Sequence, residues 1–250
     1  MRETILQKLA EVEQRENVTI LHAVESGSRA WGVESPDSDY DVRFVYVRPQ
    51  REYLRLQEHR DVIEWELGDV MDINGWDLKK ALIQFRRGNA TLFEWANSPE
   101  VYKTTPQWQE ISSCVEAWFS EKSALHHYRG TAFSTWQQHL QGDSVRYKKY
   151  IYALRPLLAC KYIEENHSIP PVRFEDLLQQ PLPAELQIEI EQMLAVKAKT
   201  DEKALNPRMP AIHAYIEDEL RRLGQLLGTM KDDRNDDWEP LDAVFLKMLW

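Results

Sequence analysis

The chain has 250 residues, 43% of them hydrophobic and only nine of them glycine, which suits one catalytic domain with a sizeable core and a helical extension. Its 41 acidic residues against 31 basic ones give a net charge of −10, which excludes a protein that coats nucleic acid indiscriminately. Cys114 and Cys160 form neither a zinc pattern nor a disulfide framework, no apolar run approaches bilayer length and no apolar signal segment opens the chain, so a cytoplasmic protein with no membrane partner is expected.

Residues 2–17 carry the pattern of an opening helix. Residues 18–24 are apolar and β-branched enough for a buried strand, which runs straight into Glu25-Ser26-Gly27-Ser28. There the chain has to turn. Glycine lets backbone approach a phosphate, the Ser28 hydroxyl and nearby amides can donate to its oxygens, and a short helix beginning near Arg29 would aim its N-terminus at the anion. Gly32 ends the turn, residues 33–37 form a loop, and residues 42–47 read as a second strand with Asp39 and Asp41 at its start. Side chains alternate along a strand, so Asp39 and Asp41 project together while Tyr40 turns away. Paired carboxylates suit Mg²⁺, which takes carboxylates, water and phosphate oxygens, and two such ions can clamp an in-line displacement at phosphorus. An Asp-x-Asp alone carries little information. Gly27-Ser28 closing one apolar strand, with Ser38-Asp39-x-Asp41 opening the next, is far more specific.

Glu64 and Asp72 each lie between apolar neighbours, and Leu67-Gly68 reads as the turn of a hairpin joining them. Residues 75–87 are expected as a helix ended by Gly88, with Asp77 in its first turn complementing the dipole. A third helix over residues 90–97 is stopped by Ser98-Pro99. From residue 107 strand patterns become rare, and helices are expected over 107–128, 131–141, 144–165, 183–203, 210–229 and 241–249. The expected organisation is a catalytic domain over residues 1–104 and an α-helical domain over 105–250 that closes the active-site cleft. Residues 142–165 are locally basic, with Lys148, Tyr152 and Arg155 at helical spacing and Tyr147, Ile151, Leu154 and Leu158 forming an apolar stripe elsewhere on the helix. Such a run is often a solvated basic face. The functional alternative puts Lys148, Lys149 and Arg155 on a triphosphate or acceptor phosphate and stacks Tyr152 on a base. The acidic run at residues 232–237 reads as a solvated loop, since it lacks the glycine and closing glutamate of a calcium loop.

Gly27-Ser28-Arg29-Ala30-Trp31-Gly32 followed by Ser38-Asp39-Tyr40-Asp41 resembles the signature of the DNA polymerase β-like nucleotidyltransferase superfamily. Residues 75–82, Asn89 with Glu94-Trp95 and Asn97-Ser98-Pro99, and residues 148–158 resemble one branch, the bacterial RNA repair pathway polymerase β family of predicted nucleotidyltransferases. The resemblance spans about residues 20–180. It implies an α+β fold, a polymerase β-like palm whose mixed sheet has flanking helices, followed by an α-helical domain. It also implies transfer of NMP from an NTP such as ATP to an acceptor hydroxyl, with Mg²⁺ or Mn²⁺. Enzymes of this kind use a third carboxylate from a neighbouring strand; Asp72, at a strand's end, is the candidate and Glu64 the rival. The implied site is Asp39, Asp41 and Asp72 on the metal, with Gly27, Ser28, Arg29, Ser38, Lys148, Lys149, Tyr152 and Arg155 on nucleotide or acceptor. An RNA 3′ end leads as acceptor. A protein or small hydroxyl compound is the second reading, and a nucleotide-binding regulator without turnover the third.

Overall fold

The computed structural model describes residues 1–35, 38–65, 70–197 and 204–249, and the chain divides into two compact units, Met1–Phe119 with Arg234–Trp250, and Ser120–Asp233. In the first unit α1 (Arg2–Glu16) precedes β1 (Thr19–Ser26), the one-turn α2 (Gly27–Ala30), β2 (Tyr40–Val47) and the short α3 (Gln50–Tyr53). Then come β3 (Val62–Trp65), β4 (Met71–Asp77), α4 (Leu78–Arg86), α5 (Ala90–Ala96), β5 (Val101–Thr104) and α6 (Pro106–Val115). Among the described residues these strands form a mixed sheet in the order β3-β4-β2-β1-β5, with β2 and β4 parallel and the other neighbours antiparallel.

Strand alternation decides the layers. Val42, Phe44 and Tyr46 of β2, with Ile63 and Ile73, turn to one face and bury against Ile5, Leu9 and Val12 of α1. The intervening positions of β2 and β4, Asp41, Arg43, Asp72 and Asn74, fall to the opposite face. In β1 a bulge between Ile20 and His22 changes the parity, so that Ile20 and Ala23 both join the α1 side. His22 stacks on Trp108 of α6, 4.5 Å between ring centroids, with Nε2 3.2 Å from the Trp95 carbonyl. Burial pushes its pKa down to about 4, which makes it a neutral core residue.

The α+β architecture follows the expectation, and the departures have local causes. Gly75 and Trp76 extend β4 instead of opening a helix. Gly75 pairs with Phe44, and a Cβ there would lie 2.1 Å from the Phe44 ring, so the strand passes beneath that ring only as glycine. The helix starts at Leu78, where the Asp77 carboxylate caps it by accepting from the Lys79 amide at 2.8 Å. β5 is too short to show a period in sequence. The expected break near residue 130 is absent, since α7 (Glu121–His139) runs through Gly130; the chain is interrupted earlier, at the 3₁₀ turn Glu116–Trp118. The Leu67-Gly68 turn, Pro36 and Asp37 of the expected loop, and residues 198–203 of an expected helix lie outside the described residues.

The second unit contains α7, the short β6 (Ser144–Val145), α8 (Tyr147–Asn166), α9 (Phe174–Leu177), α10 (Ala184–Lys197), β7 (Asn206–Pro207) and α11 (Pro210–Thr229). Leu154, Leu157, Leu158 and Ile163 bury α8 within it. The acidic run is not simply solvated: Asp233 accepts from Ser120 Oγ at 2.5 Å and from the Glu121 amide at 2.8 Å at the start of α7. In the first unit Asp236 takes Arg86, and α12 (Glu239–Leu249) brings Phe245 to 5.3 Å from Tyr53. The two compact units part between Phe119 and Ser120 rather than after residue 104: α6 packs on β1 through Trp108 and His22, and α12 packs on α4 and α6. Among the described residues no helix is long and apolar enough to cross a membrane.

Gly75→Ala is expected to lower the unfolding free energy by about 1–3 kcal/mol through overpacking against Phe44. Urea denaturation of Gly75→Ala, Phe44→Leu and the double variant checks it. The double variant should lose less than the sum of the two singles, and simple additivity would count against the contact.

Candidate functional site

Three strands present their ends together. Ser26 of β1 pairs with Asp41 of β2, and Asp41 stands in parallel register with Asp72 of β4. The Gly27-Ser28 turn thus begins beside two adjacent carboxylates. Gly27 has φ +61°, and a Cβ on it would fall 2.2 Å from Asp41 Oδ2, so only glycine lets the turn lie against that carboxylate. Arg29 reaches across to the next loop. Its Nε donates to the Asp39 carbonyl at 3.1 Å and its Nη2 to the Ser38 carbonyl at 2.6 Å, while the guanidinium lies 3.8 Å over the Tyr40 ring. Ser38 Oγ accepts from the Ser35 amide at 2.9 Å. Arg29 and Ser38 therefore shape the segment that delivers Asp39.

On β2 the side chain of Arg43 lies between the two acids. Its Nη2 is 3.1 Å from Asp41 Oδ1 and 2.7 Å from Asp72 Oδ2, and its Nη1 donates to the carbonyls of Asp72 and Val42 at 2.9 and 3.1 Å. Glu64, by contrast, pairs with Asn74 on the outer strand and accepts from Arg60 at 3.0 Å, so it is Asp72 that adjoins Asp41. Asp77 stands at the other end of β4, opposite Tyr46, where it caps α4 and accepts from the Tyr53 hydroxyl at 2.9 Å.

Among the described residues no group of three His, Cys, Asp or Glu side chains is arranged to hold a metal ion. The donor set nevertheless fits a hard cation. Asp41 and Asp72 offer carboxylate oxygens side by side, Asp72 Oδ1 is buried with no hydrogen-bond partner among the described residues, and Gly27 keeps side-chain bulk away from Asp41.

Glu25, Tyr102 and Arg43 are the participants that sequence reasoning missed. Glu25 Oε1 accepts from the Asp41 amide at 2.7 Å, and its other oxygen accepts from the Tyr102 hydroxyl, which ties the start of β2 to β1 and β5. Burial raises the Glu25 pKa, and the two hydrogen bonds oppose that rise. Burial and Glu25 itself push the Tyr102 hydroxyl up, so it remains a donor. Two of the three left a signal: Glu25 is an acid ending an apolar strand just before Gly27, and Arg43 lies two residues beyond Asp41, on the same strand face. Tyr102 left none.

A family model described as the RNA repair pathway DNA polymerase beta family matches residues 1–247. The chain belongs to this family. It is also 39% identical over 251 residues to the uncharacterized protein YcgL of Bacillus subtilis (strain 168), covering 98% of this chain and 95% of that protein. A solved nucleotidyltransferase-like protein from Exiguobacterium sibiricum 255-15 aligns over 92% of this chain and 75% of its own, at 10% identity and a TM-score of 0.31, a likeness too weak to bear on function. Membership in the RNA repair pathway DNA polymerase beta family implies an NTP as substrate and an RNA-repair setting.

For this family member the second unit holds the remaining expected residues. Lys148 Nζ and Lys149 Nζ lie 5.9 and 5.5 Å from the Tyr152 ring centroid. Burial lowers the Lys149 pKa, and the positive charges of Lys148 and Arg146 lower it further, a sign of cations crowded at the start of α8. Arg155 departs from the expected phosphate-gripping face. It is 2% exposed and donates Nε to the Val172 carbonyl at 3.0 Å, so it serves the helical core.

Gly27→Ala is expected to lose about 1–2 kcal/mol of stability from its left-handed backbone alone. By displacing the Asp41 carboxylate it should also weaken Mn²⁺–NTP binding at least about tenfold, some 1.4 kcal/mol. Isothermal titration calorimetry reads the second effect, and wild-type affinity would show that the Gly27–Asp41 contact is irrelevant to the site.

Proposed function

We propose that this chain is a cytoplasmic nucleotidyltransferase that moves NMP from an NTP to the 3′ hydroxyl of an RNA end and releases pyrophosphate. One observation carries the reading: Ser26, Asp41 and Asp72 stand in register across β1, β2 and β4, and Gly27 packs on the Asp41 carboxylate. A glycine turn that suits a phosphate and two carboxylates that suit a metal ion thereby share one end of a sheet.

The Gly27-Ser28 turn receives the triphosphate through backbone amides and the Ser28 hydroxyl. Asp39, Asp41 and Asp72 would hold Mg²⁺ or Mn²⁺, which when bound neutralises triphosphate charge and polarises the acceptor hydroxyl. Arg29 and Ser38 keep the Asp39 segment in place through its carbonyls, and Glu25 fixes the Asp41 amide. The acceptor oxygen bonds to the α-phosphorus while the α–β phosphoanhydride breaks, and Asp72 Oδ1, which has no hydrogen-bond partner among the described residues, takes the acceptor's proton. Positioning and charge stabilisation do most of the work in such a step. Taken by itself, the helical unit carries Lys148 and Lys149, whose charge suits RNA phosphates, and Tyr152, whose ring suits a base. The net charge of −10 confines this attraction to a local patch, which favours an RNA end over a long polyanion.

The test offers α-phosphate-labelled ATP, CTP, GTP and UTP with Mg²⁺ or Mn²⁺, together with RNA oligonucleotides and cell extract. Label is expected in RNA, and the Asp39→Asn/Asp41→Asn variant should lower transfer at least about 10²-fold, the scale of losing a principal electrostatic stabiliser. Label in a protein band would replace the RNA acceptor with a protein. NTP binding with no labelled product would favour a regulator, and transfer undiminished in the variant would remove the two aspartates from the chemistry.

A further inference from the structure

Asp41 and Asp72 are set side by side by strand register, and the cation between them is part of the chain. Arg43 contacts one oxygen of each carboxylate with the same Nη2, at 3.1 and 2.7 Å, and anchors Nη1 on the Asp72 and Val42 carbonyls. Its side chain is only 18% exposed, so water and salt screen it less than a surface ion pair. Because it grows from the same strand face as Asp41, it cannot leave as a solution ion would. Any divalent ion approaching these oxygens meets a fixed positive charge and must displace or share its contacts. An ion arriving with a triphosphate is different, since the phosphates bring negative charge that offsets Arg43 and can themselves accept its donors.

We propose that Arg43 is a resident counter-cation that makes metal loading depend on nucleotide: it holds Asp41 and Asp72 together in the free protein, suppresses binding of a bare divalent ion, and yields to the metal–nucleotide pair. The inference rests on the metal-dependent transfer reading and adds the order in which that site fills. Arg43 acts here through the two carboxylates, as a positioning residue. A purely structural role would make its removal weaken metal binding, whereas a counter-cation role makes removal strengthen it.

The experiment measures Mn²⁺ binding by the electron paramagnetic resonance signal of free Mn²⁺, with and without a non-hydrolysable ATP analogue. Arg43→Gln should bind Mn²⁺ alone at least about tenfold more tightly than wild type, a gain of some 1.4 kcal/mol, and should gain much less in the presence of the analogue. Arg43→Met, which keeps part of the apolar stem, carries the same expectation. Arg43→Lys retains the charge and should stay within about threefold of wild type. If Arg43→Gln and Arg43→Met bind Mn²⁺ alone no better than wild type, while Asp41→Asn added to either weakens binding, the counter-cation role is overturned and the metal site stands. If Mn²⁺ binding is undetectable in every variant or indifferent to Asp41→Asn, the metal reading fails and this inference fails with it.

Discussion

The parallel register of β2 and β4 sets Asp41 beside Asp72 and so fixes two like charges about one strand spacing, some 4.8 Å, apart. At an effective dielectric of about 20 such charges repel by roughly 3 kcal/mol before solvent screening, more than an ordinary surface ion pair returns. The surrounding structure answers that constraint. Arg43 bridges the pair, Glu25 and Tyr102 pin the Asp41 backbone from the β1 side, and Gly27 gives up its side chain so that the turn can lie against Asp41. The apolar residues on the other sheet face, packed on α1, hold the strands in the register that creates the problem.

Much of this was legible because a strand has a period of two. Asp41 could be placed on the polar face at the start of a strand and Gly27-Ser28 at the end of an apolar one, whereas Asp39, expected on the same strand face, lies in the loop just ahead of β2, where strand alternation does not set its direction. Choosing between Asp72 and Glu64 was harder, since both are acids flanked by apolar residues, and sequence does not say which strand lies beside β2. Register separates them: Asp72 adjoins Asp41, and Glu64 lies one strand further out. Gly75 misled because residues 75–87 form a plausible helix, whereas the need for space beneath the Phe44 ring is a tertiary requirement. Gly130 misled in the opposite sense; a glycine within a helix costs about 1 kcal/mol against alanine, too little to end α7.

The helical unit shows the same limit. Its basic residues at the start of α8 were visible as composition, and Lys148 and Lys149 do gather around Tyr152. Helical spacing alone would have placed Arg155 with them, yet burial turns it to the Val172 carbonyl. A charged residue at the right spacing need not be available to a ligand, because spacing states a direction around the helix axis and not what packs there.

The most direct measurement is a crystal structure of the protein with Mn²⁺ and a non-hydrolysable NTP, with manganese located by anomalous scattering. The account predicts manganese bonded to carboxylate oxygens of Asp41 and Asp72, with the triphosphate on the Gly27-Ser28 turn. Manganese bound elsewhere, or a nucleotide seated away from that turn, would contradict it.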